Sequence, residues 1–139
     1  MKTIISIWGF ANIGKTSSII QIFKKLNYKN TFHEVNVSNE VKAIGYYNNK
    51  LIGIESVGDP QSRQGESLIE FAEKDCEIII CASRTKGDTY KNIDNLSKKY
   101  GYQIIRTSNF SGGFKGILSN KIDLNDEFST SIVNLIDKL

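Results

Sequence analysis

A glycine-rich segment near the amino terminus has the spacing G-x-x-x-x-G-K-[ST]. In such a segment the two glycines let the backbone curl, so that successive N–H groups converge on phosphate oxygens. The lysine then neutralises the β- and γ-phosphates, and the hydroxyl that follows it binds Mg²⁺. The spacing therefore predicts a nucleoside triphosphate site. Its candidate nucleotide-binding residues are Gly9, Phe10, Ala11, Asn12, Ile13, Gly14, Lys15, Thr16 and Ser17.

Through this motif the sequence resembles the P-loop NTPase superfamily. The specific match covers residues 9–16 alone, whereas the predicted order of strands and helices resembles the superfamily along the whole chain. The resemblance implies binding of a nucleoside triphosphate with Mg²⁺. It leaves the reaction open, because members range from kinases to GTPase switches to motors. The second residue of the loop is Phe10, where the partition-ATPase branch has a lysine, which argues against that branch.

Two carboxylates are candidates for the acidic group that P-loop proteins need near the metal. Similar proteins carry this acid at the end of an apolar strand, and Glu55 ends the apolar run Ile52-Gly53-Ile54-Glu55. Asp59 follows shortly afterwards in the chain and is the competing candidate. Either of them could instead be a solvated loop acid. The candidate metal ligands are therefore Thr16, Glu55 and Asp59.

Two further segments resemble small GTPases. Glu55-Ser56-Val57-Gly58 is similar to the D-x-x-G region of these proteins, with Glu in place of Asp. Asn120-Lys121-Ile122-Asp123 matches their N-K-x-D guanine-recognition motif, in which the aspartate accepts two hydrogen bonds from guanine. Three features depart from that family: the changed metal acid, the weak strand pattern of residues 116–119, and the single helix that follows. We therefore expect ATP to bind at least as well as GTP, with residues 120–123 alternatively forming a loop before the last helix.

The three arginines lie near predicted strand ends. Ligands bind at the carboxyl ends of strands in parallel α/β sheets, and the arginine guanidinium suits phosphate. Arg63 and Arg84 are candidates for neutralising charge during phosphoryl transfer or for binding a second anionic substrate, whereas Arg106 is a weaker candidate. The predicted catalytic residues are Lys15, Glu55, Arg63 and Arg84.

Hydrophobic periodicity outlines the elements that would position these residues. It predicts strands over residues 2–8, 41–47, 50–55, 77–82 and 102–107, with 41–47 and 50–55 paired antiparallel through Asn48-Asn49. It predicts helices from Thr16, around 68–75, and from about 88 to a stop at Gly101, together with a last helix capped by Asn125. The pattern leaves Phe32–Val37 undecided between a strand and a loop. The alternation predicts a three-layer α/β fold, a mostly parallel sheet of about five strands flanked by helices.

Length and composition set the remaining bounds. A chain of 139 residues with 40% hydrophobic residues predicts one domain, 1–139. A net charge of +3 gives no clear nucleic-acid signal, and no apolar run reaches the roughly 20 residues that span a bilayer. Cys76 and Cys81 and the single histidine support neither a zinc site nor a disulfide framework, and we expect a cytoplasmic protein.

These patterns predict Mg²⁺-dependent binding of a nucleoside triphosphate, preferably ATP, with hydrolysis or phosphoryl transfer. One alternative is a small GTPase-like switch that acts through a protein partner as the polar segments 32–40 and 58–65 order around the γ-phosphate. A further alternative is a small-molecule or nucleotide kinase, in which Arg63 and Arg84 would hold the acceptor.

Overall fold

The computed structural model describes residues 1–9, 14–109 and 121–139. They form an α/β fold in which a six-stranded mixed sheet is flanked by four helices. The strands are β1 (Thr3–Trp8), β2 (Phe32–Val37), β3 (Val41–Tyr47), β4 (Lys50–Glu55), β5 (Ile78–Ser83) and β6 (Gln103–Thr107). The helices are α1 (Lys15–Leu26), α2 (Gln64–Glu73), α3 (Asp88–Tyr100) and α4 (Lys121–Asp137).

The sheet has the strand order β2-β3-β4-β5-β1-β6. The predicted number of about five strands is one too low, because the undecided segment Phe32–Val37 forms the edge strand β2. The predicted β3–β4 hairpin is confirmed: Asn48 and Asn49 both have positive φ, at 49° and 64°, as its tight turn requires. The pairs β4–β5, β5–β1 and β1–β6 are parallel, so the sheet is parallel except for the β2–β3–β4 meander.

Two helices pack on each face of the sheet. Helices α1 and α4 bury Ile19, Ile22 and Phe128 against one face, while α2 and α3 bury Phe71 and Ile93 against the other. Both faces of β1 and β5 are therefore covered, which explains their nearly continuous apolar sequences. None of the described helices is long and apolar enough to cross a membrane.

The last helix begins earlier than predicted. Helix α4 starts at Lys121, so Asn125 lies inside the helix and does not cap it. Its buried side-chain oxygen Oδ1 accepts a hydrogen bond of 3.1 Å from Ser18 Oγ on α1. A short polar side chain is typical of a cap, but here its partner lies on a neighbouring helix, which the local sequence could not show.

One strand separates the two strands that end at the predicted site. Strand β5 lies between β1 and β4, with Trp8 of β1 opposite Ser83 and Glu55 of β4 opposite Cys81. Neighbouring strands are about 4.8 Å apart, so the end of β4 lies about 10 Å from the end of β1. The residues at the end of β5 are consequently closer to the glycine-rich segment than Glu55 is.

Candidate functional site

The glycine-rich segment connects the end of a strand to the start of a helix, as its sequence predicts. Strand β1 ends at Trp8 and helix α1 begins at Lys15. Gly14 precedes the helix with φ 88° and ψ 20°, a left-handed conformation that a residue with a side chain adopts only with strain. The loop residues Phe10, Ala11, Asn12 and Ile13 lie outside the described part of the chain.

Lys15 is buried at the start of α1, with only 8% of its surface exposed. Its Nζ donates hydrogen bonds to the carbonyl oxygens of Gly9 at 2.7 Å and Ser83 at 3.1 Å. Burial lowers the pKa of this ammonium, the positive charge of Arg84 lowers it further, and the Asp59 carboxylate raises it. Both hydrogen-bond acceptors of this buried ammonium are neutral carbonyl groups, and a phosphate placed here would supply a negatively charged one.

Arg84 and Asp59 form an ion pair at the end of β5. Arg84 Nη2 lies 2.8 Å from Asp59 Oδ1, and the Arg84 backbone N–H donates to Thr89 Oγ1. The buried Nε of Arg84 has no hydrogen-bond partner among the residues that the structure describes. Both charged groups act on Lys15, so these three predicted site residues lie in one neighbourhood. The Nε–H group is therefore an unpaired donor in this neighbourhood.

The other two predicted catalytic residues bind each other. Arg63, which immediately precedes α2, donates from Nε to Glu55 Oε1 at 2.7 Å and from Nη2 to Glu55 Oε2 at 3.1 Å. The same carboxylate accepts hydrogen bonds from Ser67 Oγ at 2.7 Å and from the Val57 backbone N–H at 3.3 Å. Glu55 is fully buried, and its hydrogen bond raises the pKa of Arg63.

This pairing differs from the roles that the sequence predicts for Glu55 and Arg63. A carboxylate accepts about four hydrogen bonds, and Glu55 already accepts four, so no lone pair remains free for a metal ion. Its charge is compensated by Arg63, whose charge is in turn unavailable to a phosphate. In this geometry the two residues join the end of β4 to the start of α2. Their predicted roles at the nucleotide would require this buried pair to open.

A carboxylate outside the predicted site lies at the Thr16 hydroxyl. Thr16 Oγ1 donates to both carboxylate oxygens of Glu40, at 3.3 Å and 3.2 Å. Ser56 Oγ donates to Glu40 Oε2 and accepts a 2.8 Å hydrogen bond from the Val41 backbone N–H. Glu40 precedes β3, which is antiparallel to β4, so the start of β3 lies beside the end of β4. The predicted hairpin of residues 41–55 is the sequence signal that could have indicated Glu40, because this residue directly precedes it.

Arg106, the weaker candidate, is held in a cluster beside β1. Its guanidinium lies 4.3 Å from the ring centroid of Tyr90 and 5.9 Å from that of Trp8, and its Nη2 lies 2.7 Å from Asp94. Stacking and ion pairing of this kind fix an arginine in place. The cluster packs α3 against the ends of β1 and β6, next to the glycine-rich segment.

The N-K-x-D match lies at the start of α4. Residues 121–123 form the first turn of this helix, and Asn120 lies outside the described residues. The alternative interpretation as a loop before the last helix is therefore wrong for 121–123. Comparison of the chain with models of protein families, with curated proteins and with solved structures found no match.

Proposed function

We propose that the protein is a P-loop NTPase that binds a nucleoside triphosphate, preferably ATP, with Mg²⁺ and hydrolyses the terminal phosphoanhydride. The observation that carries the proposal is the buried ammonium of Lys15, which lies at the first turn of a helix and contacts Gly9 and the end of β5. A buried cation at a helix amino terminus favours an anion. The glycine-rich spacing before it favours the phosphates of a nucleotide.

Each residue near this ammonium has a separate task in the proposed reaction. Lys15 would exchange its two carbonyl partners for phosphate oxygens. Mg²⁺ suits the Thr16 hydroxyl, since this ion prefers hard oxygen ligands and keeps few protein ligands when phosphates complete its shell. The bound ion would neutralise charge on the β- and γ-phosphates. The described residues contain no group of three or more His, Cys, Asp or Glu that could hold a metal ion.

Arg84 would act mainly during the transfer step. Replacing Arg84 by alanine should lower kcat about tenfold or more, with a smaller change in the affinity for ATP, because charge on the transferred group develops in the transition state. The measurements are steady-state phosphate release and calorimetric binding of a non-hydrolysable ATP analogue. The matched control is Arg106→Ala, which removes an arginine held by Tyr90 and Asp94. An unchanged kcat in Arg84→Ala would assign Arg84 only to its ion pair with Asp59.

The kinase alternative has less support. It requires both Arg63 and Arg84 to hold a phosphoryl acceptor, whereas Arg63 is bound to the buried carboxylate of Glu55. Of these two arginines, Arg84 is the one with a buried donor, Nε, that has no partner among the described residues. Phosphate release measured with and without a panel of acceptors separates the two activities, because a kinase transfers label to an acceptor.

One observation favours a second candidate function, a nucleotide-dependent switch that acts through a protein partner. The segment that leads to Glu40 forms the edge strand β2, where the side chains of Val35 and Val37 remain 48% and 44% exposed. Exposed apolar side chains on an edge strand are typical of surfaces that bind another chain. A triphosphate-dependent change in proteolysis of segments 32–40 and 58–65, without turnover, would support the switch.

Binding of ATP, GTP, ADP and GDP, measured side by side by calorimetry with Mg²⁺, tests the proposed function. We expect ATP to bind at least as tightly as GTP, and each triphosphate more tightly than its diphosphate. Clear GTP preference that Asp123→Ala abolishes would instead support the small-GTPase interpretation, because a carboxylate that accepts two N–H bonds from guanine rejects adenine strongly. No binding of any of the four would contradict the proposal.

A further inference from the structure

The start of β3 brings a carboxylate to the hydroxyl that a P-loop uses for its metal. Both oxygens of Glu40 accept hydrogen bonds from Thr16 Oγ1, at 3.3 Å and 3.2 Å. Glu40 is half-buried and belongs to the turn between β2 and β3, far from Thr16 in the chain. The contact therefore depends on the tertiary fold and is not a local turn interaction.

Ser56 holds the Glu40 carboxylate in this position. It follows β4 directly, is buried, and donates from Oγ to Glu40 Oε2. The backbone ties the same two strands together, since Ser56 N donates to the Val41 carbonyl oxygen at 2.9 Å and Val41 N donates to Ser56 Oγ at 2.8 Å. The Glu40 carboxylate is thus oriented by Ser56, which the backbone of Val41 holds in place.

The two carboxylates that the sequence suggests for the metal each form an ion pair with an arginine. Glu55 accepts four hydrogen bonds within its pair with Arg63 and is fully buried. Asp59 is bound to Arg84 at the end of the neighbouring strand. Among the described residues, Glu40 forms no ion pair with an arginine, in contrast to Glu55 and Asp59. Of these three carboxylates, it is the one that accepts a hydrogen bond from Thr16.

We propose that Glu40 is the carboxylate that binds the divalent cation together with the Thr16 hydroxyl when nucleotide is present, and that Ser56 is its positioning residue. The inference rests on the proposed nucleotide-binding function. Its chemistry follows from the donor set, because a hydroxyl and a carboxylate are hard oxygen ligands of the kind that Mg²⁺ and Mn²⁺ prefer. The hydrogen bonds from Thr16 to Glu40 would give way to bonds from both side chains to the cation.

The test uses Mn²⁺ as the probe, with its affinity for the complex of the protein and a non-hydrolysable ATP analogue measured by electron paramagnetic resonance. Glu40→Gln keeps the size of the side chain and removes its charge. We expect it to lower the Mn²⁺ affinity about tenfold or more, while the affinity for the analogue in EDTA stays unchanged. Ser56→Ala should lower the Mn²⁺ affinity by a smaller factor, because Glu40 remains.

Glu34→Gln is the matched control, since it removes a carboxylate from the same β2–β3 region that is bound to Lys74 on the surface. It should leave the Mn²⁺ affinity unchanged. An unchanged Mn²⁺ affinity in Glu40→Gln, or a loss confined to Asp59→Asn, would overturn the proposal while nucleotide binding stands. Failure of the wild-type protein to bind the analogue would overturn the proposed function itself, and the two failures are therefore distinguishable.

Discussion

Replacing Lys15 by methionine should lower the affinity for ATP at least about tenfold while the protein remains folded. The ammonium is expected to make charge-assisted contacts with phosphate oxygens, each worth roughly 1.5–3 kcal/mol. Methionine keeps most of the length and the apolar part of the side chain, so the space beside Gly9 and Ser83 stays filled. Calorimetric titration with ATP gives the affinity, and thermal unfolding checks the fold.

Lys24→Met is the control for this change, because Lys24 is exposed on α1 and lies in its last turn, away from the glycine-rich segment. It removes the same charge from the same helix and should leave the affinity unchanged. A folded Lys15→Met protein that binds ATP as tightly as the wild type would contradict the P-loop assignment.

Replacing Arg63 by methionine should lower the free energy of unfolding by about 2–3 kcal/mol. The change leaves the fully buried Glu55 carboxylate without its cation, and removing one partner of a buried pair costs about 3–5 kcal/mol. We expect less than this range because 38% of the Arg63 side chain is exposed, so solvent already screens the pair. Urea unfolding at neutral pH measures the loss.

The double variant Glu55→Gln/Arg63→Met tests whether that loss comes from the unpaired charge. The amide is neutral; its oxygen can accept from the Val57 N–H while its NH2 group donates to Ser67 Oγ, so the double variant should recover much of the lost stability. Lys74→Met, which breaks an exposed pair with Glu34, should change the stability little. A stable Arg63→Met protein with lower turnover would instead return Arg63 to the catalytic role that the sequence suggests.

Much of the fold could be predicted from the sequence because its signals are local. The two asparagines of the β3–β4 turn and the helix stop at Gly101, which has φ 77°, depend on backbone conformations that few residues adopt. The order of the strands could not be predicted in the same way. The apolar runs of β1, β4 and β5 are similar, and nothing within them indicates that β5 lies between the other two.

The candidate site, like the fold, has parts that local sequence signals predict and parts that depend on the strand order. The spacing of Gly14, Lys15 and Thr16 can be identified within one short segment. The partners of Glu55 and Glu40 depend on which strand ends meet. Within the sequence, Glu55 has the position typical of a metal-binding acid, at the end of an apolar strand. Tertiary structure brings Arg63 to Glu55 and Glu40 to Thr16. The placement of Arg84 beside Lys15 follows from the same strand order.

The pairing of β1 also has a consequence for the order in which the protein can fold. Thr3 of this strand pairs with Ile78 on one side and Gln103 on the other, whereas β2, β3 and β4 are joined by short turns. Contacts between distant parts of a chain form slowly because they require long loops to close. The β2–β3–β4 meander can therefore form while β1 still lacks both neighbours. During synthesis, the apolar strand that precedes the glycine-rich segment is made before the other described strands and completes its pairing only after β6 has been made.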